Sequence, residues 1–145
     1  MKLSQIPLTG GARQTGKIMH MLVKRYSFDM SPYASLPPAQ MFRILANVPF
    51  KPDPEGHELL QRPKFTMTYG GDCDDKAIAA AAYAVVTKNP YRFTAIGFKI
   101  PGKTRIPLTH VFTEISIYNE WVPFDCTYSY NIFGQRINSD RSVFI

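Results

Sequence analysis

From Ala77 to Ala82 the chain carries only one side chain larger than a methyl group, Ile78, and the apolar run continues through Tyr83, Ala84, Val85 and Val86. A helix of that composition can approach a sheet more closely than one built of leucines, so it belongs at the centre of a fold. Its start is written just upstream, in Gly70-Gly71-Asp72-Cys73-Asp74-Asp75-Lys76. The glycines permit a sharp turn, including positive φ. Asp72 is a good N-cap, and Asp75 at the third helical position completes an acidic variant of the capping box. Cys73 then falls in the first helical turn, where unpaired N–H groups and the helix dipole favour a thiolate. A buried core thiol is the ordinary reading of a lone cysteine in such a place.

Downstream residues alter that reading. His110 opens a β-branched and aromatic segment running to Tyr118, and Trp121 to Cys126 forms a second, with Asn119-Glu120 as the expected turn. His110 begins the first strand and Asp125 ends the second, so an antiparallel hairpin makes them neighbours. Cys, His and Asp follow in that order, 37 residues (110 − 73) and 15 residues (125 − 110) apart. A nucleophile at a helix start, a base on a strand and a carboxylate to orient it are what thiol acyl transfer requires. One difficulty is metric. A two-residue Asn119-Glu120 turn sets Asp125 opposite Glu114, four residues and about 13 Å from His110. A bulge or a longer turn is then needed, and Glu114 becomes the competing orienter.

These three blocks resemble the transglutaminase-like superfamily, the papain-like group that holds transglutaminases and bacterial and phage cysteine peptidases. Gly71-Asp72-Cys73-Asp74-Asp75-Lys76-Ala77, His110 at a strand start and Trp121-Val122-Pro123-Phe124-Asp125-Cys126-Thr127 stand in the family's order, over about residues 65 to 130. Cys126 departs from the family's usual proline. The resemblance implies an α+β, papain-like core with the nucleophile helix packed on a small antiparallel sheet, and a Cys73-His110-Asp125 triad supported by Gly71, Asp72 and Asp75. It implies a protein or peptide substrate, no cofactor and no metal. The oxyanion would be held by the Cys73 backbone N–H and a second donor, for which Gln61 and Tyr69 are the candidates. Peptide or amide hydrolysis is the expected reaction. Cross-linking by a transglutaminase shares the chemistry up to the thioester, and a non-catalytic structural module, of the kind a phage particle could carry, is the alternative of another class.

The remaining sequence bounds these expectations. A chain of 145 residues supports one core, so a single domain is expected, with a Pro-rich helical part over 1–64 and the catalytic core over 65–130. No apolar run is long enough to cross a bilayer, and Met1 to Gln14 lacks a signal-peptide core, which points to the cytoplasm, or to a virion if the chain is phage-encoded. Two cysteines make no disulfide framework, and a Cys73–Cys126 bridge would disable the nucleophile. The net charge of +6 arises in the first half, with nine basic and four acidic residues up to Lys64 against eight and seven after it. No basic run or RNA-binding aromatic signature accompanies it, so specific nucleic-acid binding is not expected.

Along the chain, Gly10 to Lys17 fails the phosphate-loop pattern and is discarded. Lys17 to Tyr26 suits a helix with Ile18, Met21, Leu22 and Tyr26 on one face, and His20 on the other side reads as a surface or boundary histidine. Pro37-Pro38 opens a helix to Asn47, and Pro49, Pro52 and Pro54 impose a loop. Asp53, Glu55 and His57 on that loop read as a solvated turn rather than metal ligands. Arg62 to Tyr69 alternates as an extended segment. Tyr91 to Ile100 reads as a strand, Pro101 to Pro107 as a basic loop bordering the cleft, and the tail after Tyr128 as the source of one more strand.

Overall fold

A computed structural model describes the backbone of residues 6–8 and the full residues 11–55 and 58–145. Its centre is α4 (Cys73–Val86), in which every residue from Asp75 to Ala84 is buried. The four-stranded antiparallel sheet beside it has the order β5-β4-β3-β6, from β3 (Tyr91–Gly97), β4 (His110–Ile117), β5 (Glu120–Phe124) and β6 (Arg141–Phe144). The expected α+β architecture, with the helix that begins at Cys73 packed on a small antiparallel sheet, is what the chain adopts. Ala77, Ile78 and Ala81 pack with Phe93 and Val111, while Ala79, Ala80, Ala82 and Ala84 share a cluster with Ile115 and Phe124. One buried polar tie crosses this interface, Thr113 Oγ1 donating to the Ala77 carbonyl at 2.6 Å.

The other helices pack around α4, and α1 also touches the sheet. α1 (Ala12–Tyr26) starts earlier than its apolar pattern predicts and buries Met19, Leu22 and Val23, leaving Met21 exposed. The buried face differs from the one the apolar pattern suggests because Gly16, invisible to a hydrophobic pattern, lies against Ile145. A Cβ there would stand 2.9 Å from the Ile145 Cβ, and that close approach fixes the helix rotation. His20 is a boundary residue, its ring nitrogens bonded to the Tyr91 hydroxyl at 2.8 Å and the Ile145 carbonyl at 2.9 Å. A 3₁₀ helix over Ser27–Tyr33 leads to α2 (Pro38–Asn47), which begins on its proline as expected.

Pro63 also opens a helix, α3 (Pro63–Tyr69), where alternation of Phe65, Met67 and Tyr69 suggests an extended segment. Arg62 anchors this start, its guanidinium bonded twice to Asp29 at 2.8 and 2.6 Å. Strands β1 (Ile6–Leu8) and β2 (Glu58–Leu60) form a separate antiparallel pair. Among the described residues no helix is long and apolar enough to cross a membrane.

Candidate active site

The loop that leads to Cys73 is held by its backbone. Gly70 has φ 91°, and a Cβ there would lie 2.5 Å from the Pro49 carbonyl oxygen, so only glycine fits. Gly71 exchanges hydrogen bonds with the neighbouring segment, Gly71 N–H to Pro49 O at 3.1 Å and Lys51 N–H to Gly71 O at 3.0 Å. The capping box is complete, with Asp75 N–H donating to Asp72 and Asp72 N–H donating to Asp75. These contacts set Cys73 at the first turn of α4, half-buried and lining a cleft of about 550 Å³. The cleft is also lined by Glu58, Asp72, Asp74, Thr109 and His110.

His110 and Asp125 meet, Nε2 to Oδ2 at 2.7 Å. No bulge is needed, because the turn sits one residue earlier than the sequence suggests. Ile117 pairs with Glu120, and Tyr118 and Asn119 form the turn with φ 50° and 65°, as a type I′ hairpin requires. Phe124 then pairs with Thr113, so Asp125 leaves the ladder two residues closer to His110 than an Asn119-Glu120 turn would place it. Glu114 is no competitor. It is buried and accepts from Thr94 at 2.7 Å, Arg136 at 2.9 Å and Arg92 at 3.4 Å.

Burial would raise the Asp125 carboxyl, but the His110 hydrogen bond and charge, with the Thr127 donors, hold it below its ordinary value. Thr127 gives its hydroxyl at 2.8 Å and its N–H at 3.3 Å to Oδ1. An ionised carboxylate only accepts, so the Nε2 that faces Asp125 carries a proton, and in the neutral imidazole the lone pair is on Nδ1.

The thiol differs from the sequence expectation of a ready thiolate. Burial, then the charges of Asp74 and Asp72, push Cys73 well above its ordinary value, against the favourable Val111 backbone N–H. The Cys73 S–H lies 3.5 Å from Asp74 Oδ1. Asp74 is itself raised to about 6, first by burial and then by Glu58. Asp72 and Asp75 are raised too, chiefly by burial.

Neither side chain considered as the second oxyanion donor faces the cleft. Gln61 is buried and gives its amide N–H groups to Thr66 Oγ1 at 3.1 Å and Gly70 O at 2.7 Å, bracing the glycine turn. Tyr69 is exposed and packs on Phe65. The Cys73 N–H, in the first helical turn, has no acceptor within its helix.

Cys126 is buried with its thiol pushed up to about 12 by burial, and both cysteines are free. The basic loop reaches the cleft only through the residues that follow it, Leu108 and Thr109.

Two features were not anticipated from sequence. Lys76, buried one turn after Cys73, donates to Val48 O at 2.7 Å and Thr127 O at 2.8 Å, tying the helix to the segment that carries Asp125. Its place next to the acidic cap was the only signal. Asp53, Asp72 and Asp75 bring carboxylate oxygens within 4.8 Å of one another, although they lie far apart in sequence. Each accepts a backbone N–H, that of Leu59 for Asp53 and those of the capping box and Gln61 for the others, so the cluster organises the turn. His57, set beside Asp53 and Glu55 in the sequence, lies outside the described residues.

No family model matches the chain, and no curated protein does. Among solved structures, it is similar to a putative cysteine protease from Cytophaga hutchinsonii, with 20% identity and a TM-score of 0.43. That match covers 83% of this chain, which spans about two fifths (40%) of the other protein's length. The reading of the site therefore rests on its own geometry.

Proposed function

We propose that the chain is a thiol acyl-transfer enzyme that hydrolyses peptide or amide bonds, with Cys73 as nucleophile, His110 as general base and Asp125 as the group that orients it. The observation that carries this reading is the 2.7 Å His110–Asp125 bond, with His110 and Cys73 lining the same cleft. Nδ1 of His110 takes the thiol proton as sulfur attacks the carbonyl carbon, and Asp125 stabilises the imidazolium so formed. The Cys73 N–H is one donor to the oxyanion. Collapse of the tetrahedral species expels the amine, which takes the proton back from His110, and water then hydrolyses the thioester.

The three blocks that resemble the transglutaminase-like superfamily favour the same assignment, with a peptide or protein as the acyl donor. The burial of Cys73 and the carboxylates of Asp74 and Asp72 beside it, which push its thiol up, favour a non-catalytic module instead. Alkylation separates the two. A catalytic Cys73 is labelled by iodoacetamide at a rate that falls sharply in His110→Ala, whereas a relic labels at the same rate in both proteins. Release of aminomethylcoumarin from peptidyl amides, abolished in Cys73→Ala, completes the test.

A further inference from the structure

We infer that Thr127 is a positioning residue for the acyl transfer, its hydroxyl locking the Asp125 carboxylate so that one oxygen stays aimed at His110. The inference rests on the thiol-enzyme reading and deepens it. Asp125 lies just past β5, whose last pair is Phe124 with Thr113, so the sheet ladder ends before it. A carboxylate turns broadly about its Cβ–Cγ bond and, held by one contact alone, can offer either oxygen. Here the two oxygens are divided. Oδ2 faces His110 Nε2 at 2.7 Å, while Oδ1 accepts the Thr127 hydroxyl at 2.8 Å and the Thr127 N–H at 3.3 Å. The N–H bond is an ordinary Asx turn, which nearly any residue two positions on could supply. The hydroxyl is what threonine adds, and the β-branch stiffens the direction in which it points.

Thr127 has a fixed seat of its own. It is buried, and its carbonyl accepts from Lys76 Nζ at 2.8 Å. Lys76 stands one turn after Cys73 on α4 and also holds the Val48 carbonyl at 2.7 Å. A run of hydrogen bonds therefore leads from the helix that begins at Cys73, through Lys76, Thr127 and Asp125, to the imidazole. Thr15, Thr68, Thr87 and Thr113 give their hydroxyls to backbone carbonyls, which satisfies a hydroxyl without orienting a charged group. Thr94 gives its hydroxyl to Glu114, but there the guanidiniums of Arg92 and Arg136 take the other oxygen, and the unit is a structural ion cluster. At Asp125 the other oxygen meets an imidazole that lines the cleft together with Cys73. What Thr127 orients is the base. Without its hydroxyl the carboxylate swings, the ring follows, and Nδ1 spends less time where it can take the thiol proton.

The test compares Thr127→Val, which keeps the N–H, the branch and nearly the same size, with Thr127→Ser, which keeps the hydroxyl. With a peptidyl coumarin amide, Thr127→Val should lower kcat by about tenfold and leave KM unchanged, since Thr127 is not among the described residues that line the cleft. Thr127→Ser should recover most of the loss. Proton NMR supplies a reading that packing alone would not move. The His110 Nε2–H resonance, assigned by its disappearance in His110→Ala, should lie downfield and sharp in the wild type, and should broaden or move upfield in Thr127→Val. Circular dichroism checks the fold, and Thr127→Ala replaces a valine variant that fails it. Wild-type kcat in Thr127→Val, a serine variant as slow as the valine one, or a slow valine variant with an unmoved resonance would each overturn the inference and leave the thiol enzyme intact. Labelling of Cys73 indifferent to His110→Ala, with no amide hydrolysis by the wild type, would overturn the reading beneath it.

Discussion

Asp125 reaches His110 because Tyr118 and Asn119, not Asn119 and Glu120, make the hairpin turn. A shift of one position at the turn moves the pairing by two residues and converts a gap of about 13 Å into a hydrogen bond. The bond fixes the imidazole tautomer, so removing its carboxylate charge should impair catalysis without disturbing the fold. Asp125→Asn is expected to lower kcat/KM for amide hydrolysis by roughly 10²-fold and His110→Ala by roughly 10³-fold. Steady-state kinetics checks both, and an Asp125→Asn enzyme with wild-type kcat/KM would remove Asp125 from the mechanism.

The thiol should titrate late. With burial, Asp74 and Asp72 all raising it, Cys73 alkylation by iodoacetamide is expected to lag behind a free thiol at pH 7 and to climb through pH 9. Asp74→Asn removes one of those charges, which moves the profile to lower pH. Cys126, fully buried and raised to about 12, should remain unlabelled in the native protein. Peptide mapping after timed alkylation reads all three outcomes.

The acidic turn should also shape stability. Asp74 is raised to about 6 in the folded chain, and Asp72 and Asp75 are raised as well. Above the unfolded value of about 3.9, the folded state keeps protons that the unfolded chain releases. Stability contributed by these groups is therefore full below about pH 4 and is lost as pH rises through their folded values. Asp125, depressed, acts oppositely: its contribution is present above about 3.9 and disappears as pH falls through its lower folded value. The melting temperature should peak near pH 5 and decline toward pH 8. Asp72→Asn, which keeps the N-cap and removes the charge, should raise it at pH 8. A melting curve that improves steadily from pH 5 to 8 would contradict this account.

Lys76 should prove costly to remove. Its ammonium is buried with two carbonyl partners, and burial lowers its ionisation point. Lys76→Met leaves the Val48 and Thr127 carbonyls unsatisfied, a loss of roughly 2–4 kcal/mol. Urea unfolding measures it, as a lower midpoint with an unchanged slope.

Local signals in the sequence carried most of the site. The Asp72–Asp75 capping box, the alanine helix and the strand opened by His110 each depend on residues a few positions apart, and each forms as read. What was misread depends on contacts between distant segments. Tyr118 at positive φ is an uncommon choice that no propensity favours, so the turn was set one residue late. Pro63 as the first residue of α3 was outweighed by a false alternation. Gln61 has the chemistry of an oxyanion donor, but only the folded chain shows its amide spent on Thr66 and Gly70.

The alanines of α4 have a further consequence. Cys73 and His110 belong to different layers, and those layers meet through alanine methyl groups and the Thr113–Ala77 bond. The stripe acts as a gauge block: its thickness sets how far the helix that begins at Cys73 stands from the strand that begins at His110. A single enlargement such as Ala81→Val, remote from solvent and touching neither group, would lever the two layers apart at the cleft. Natural variation along this helix should then be constrained by reach as much as by packing.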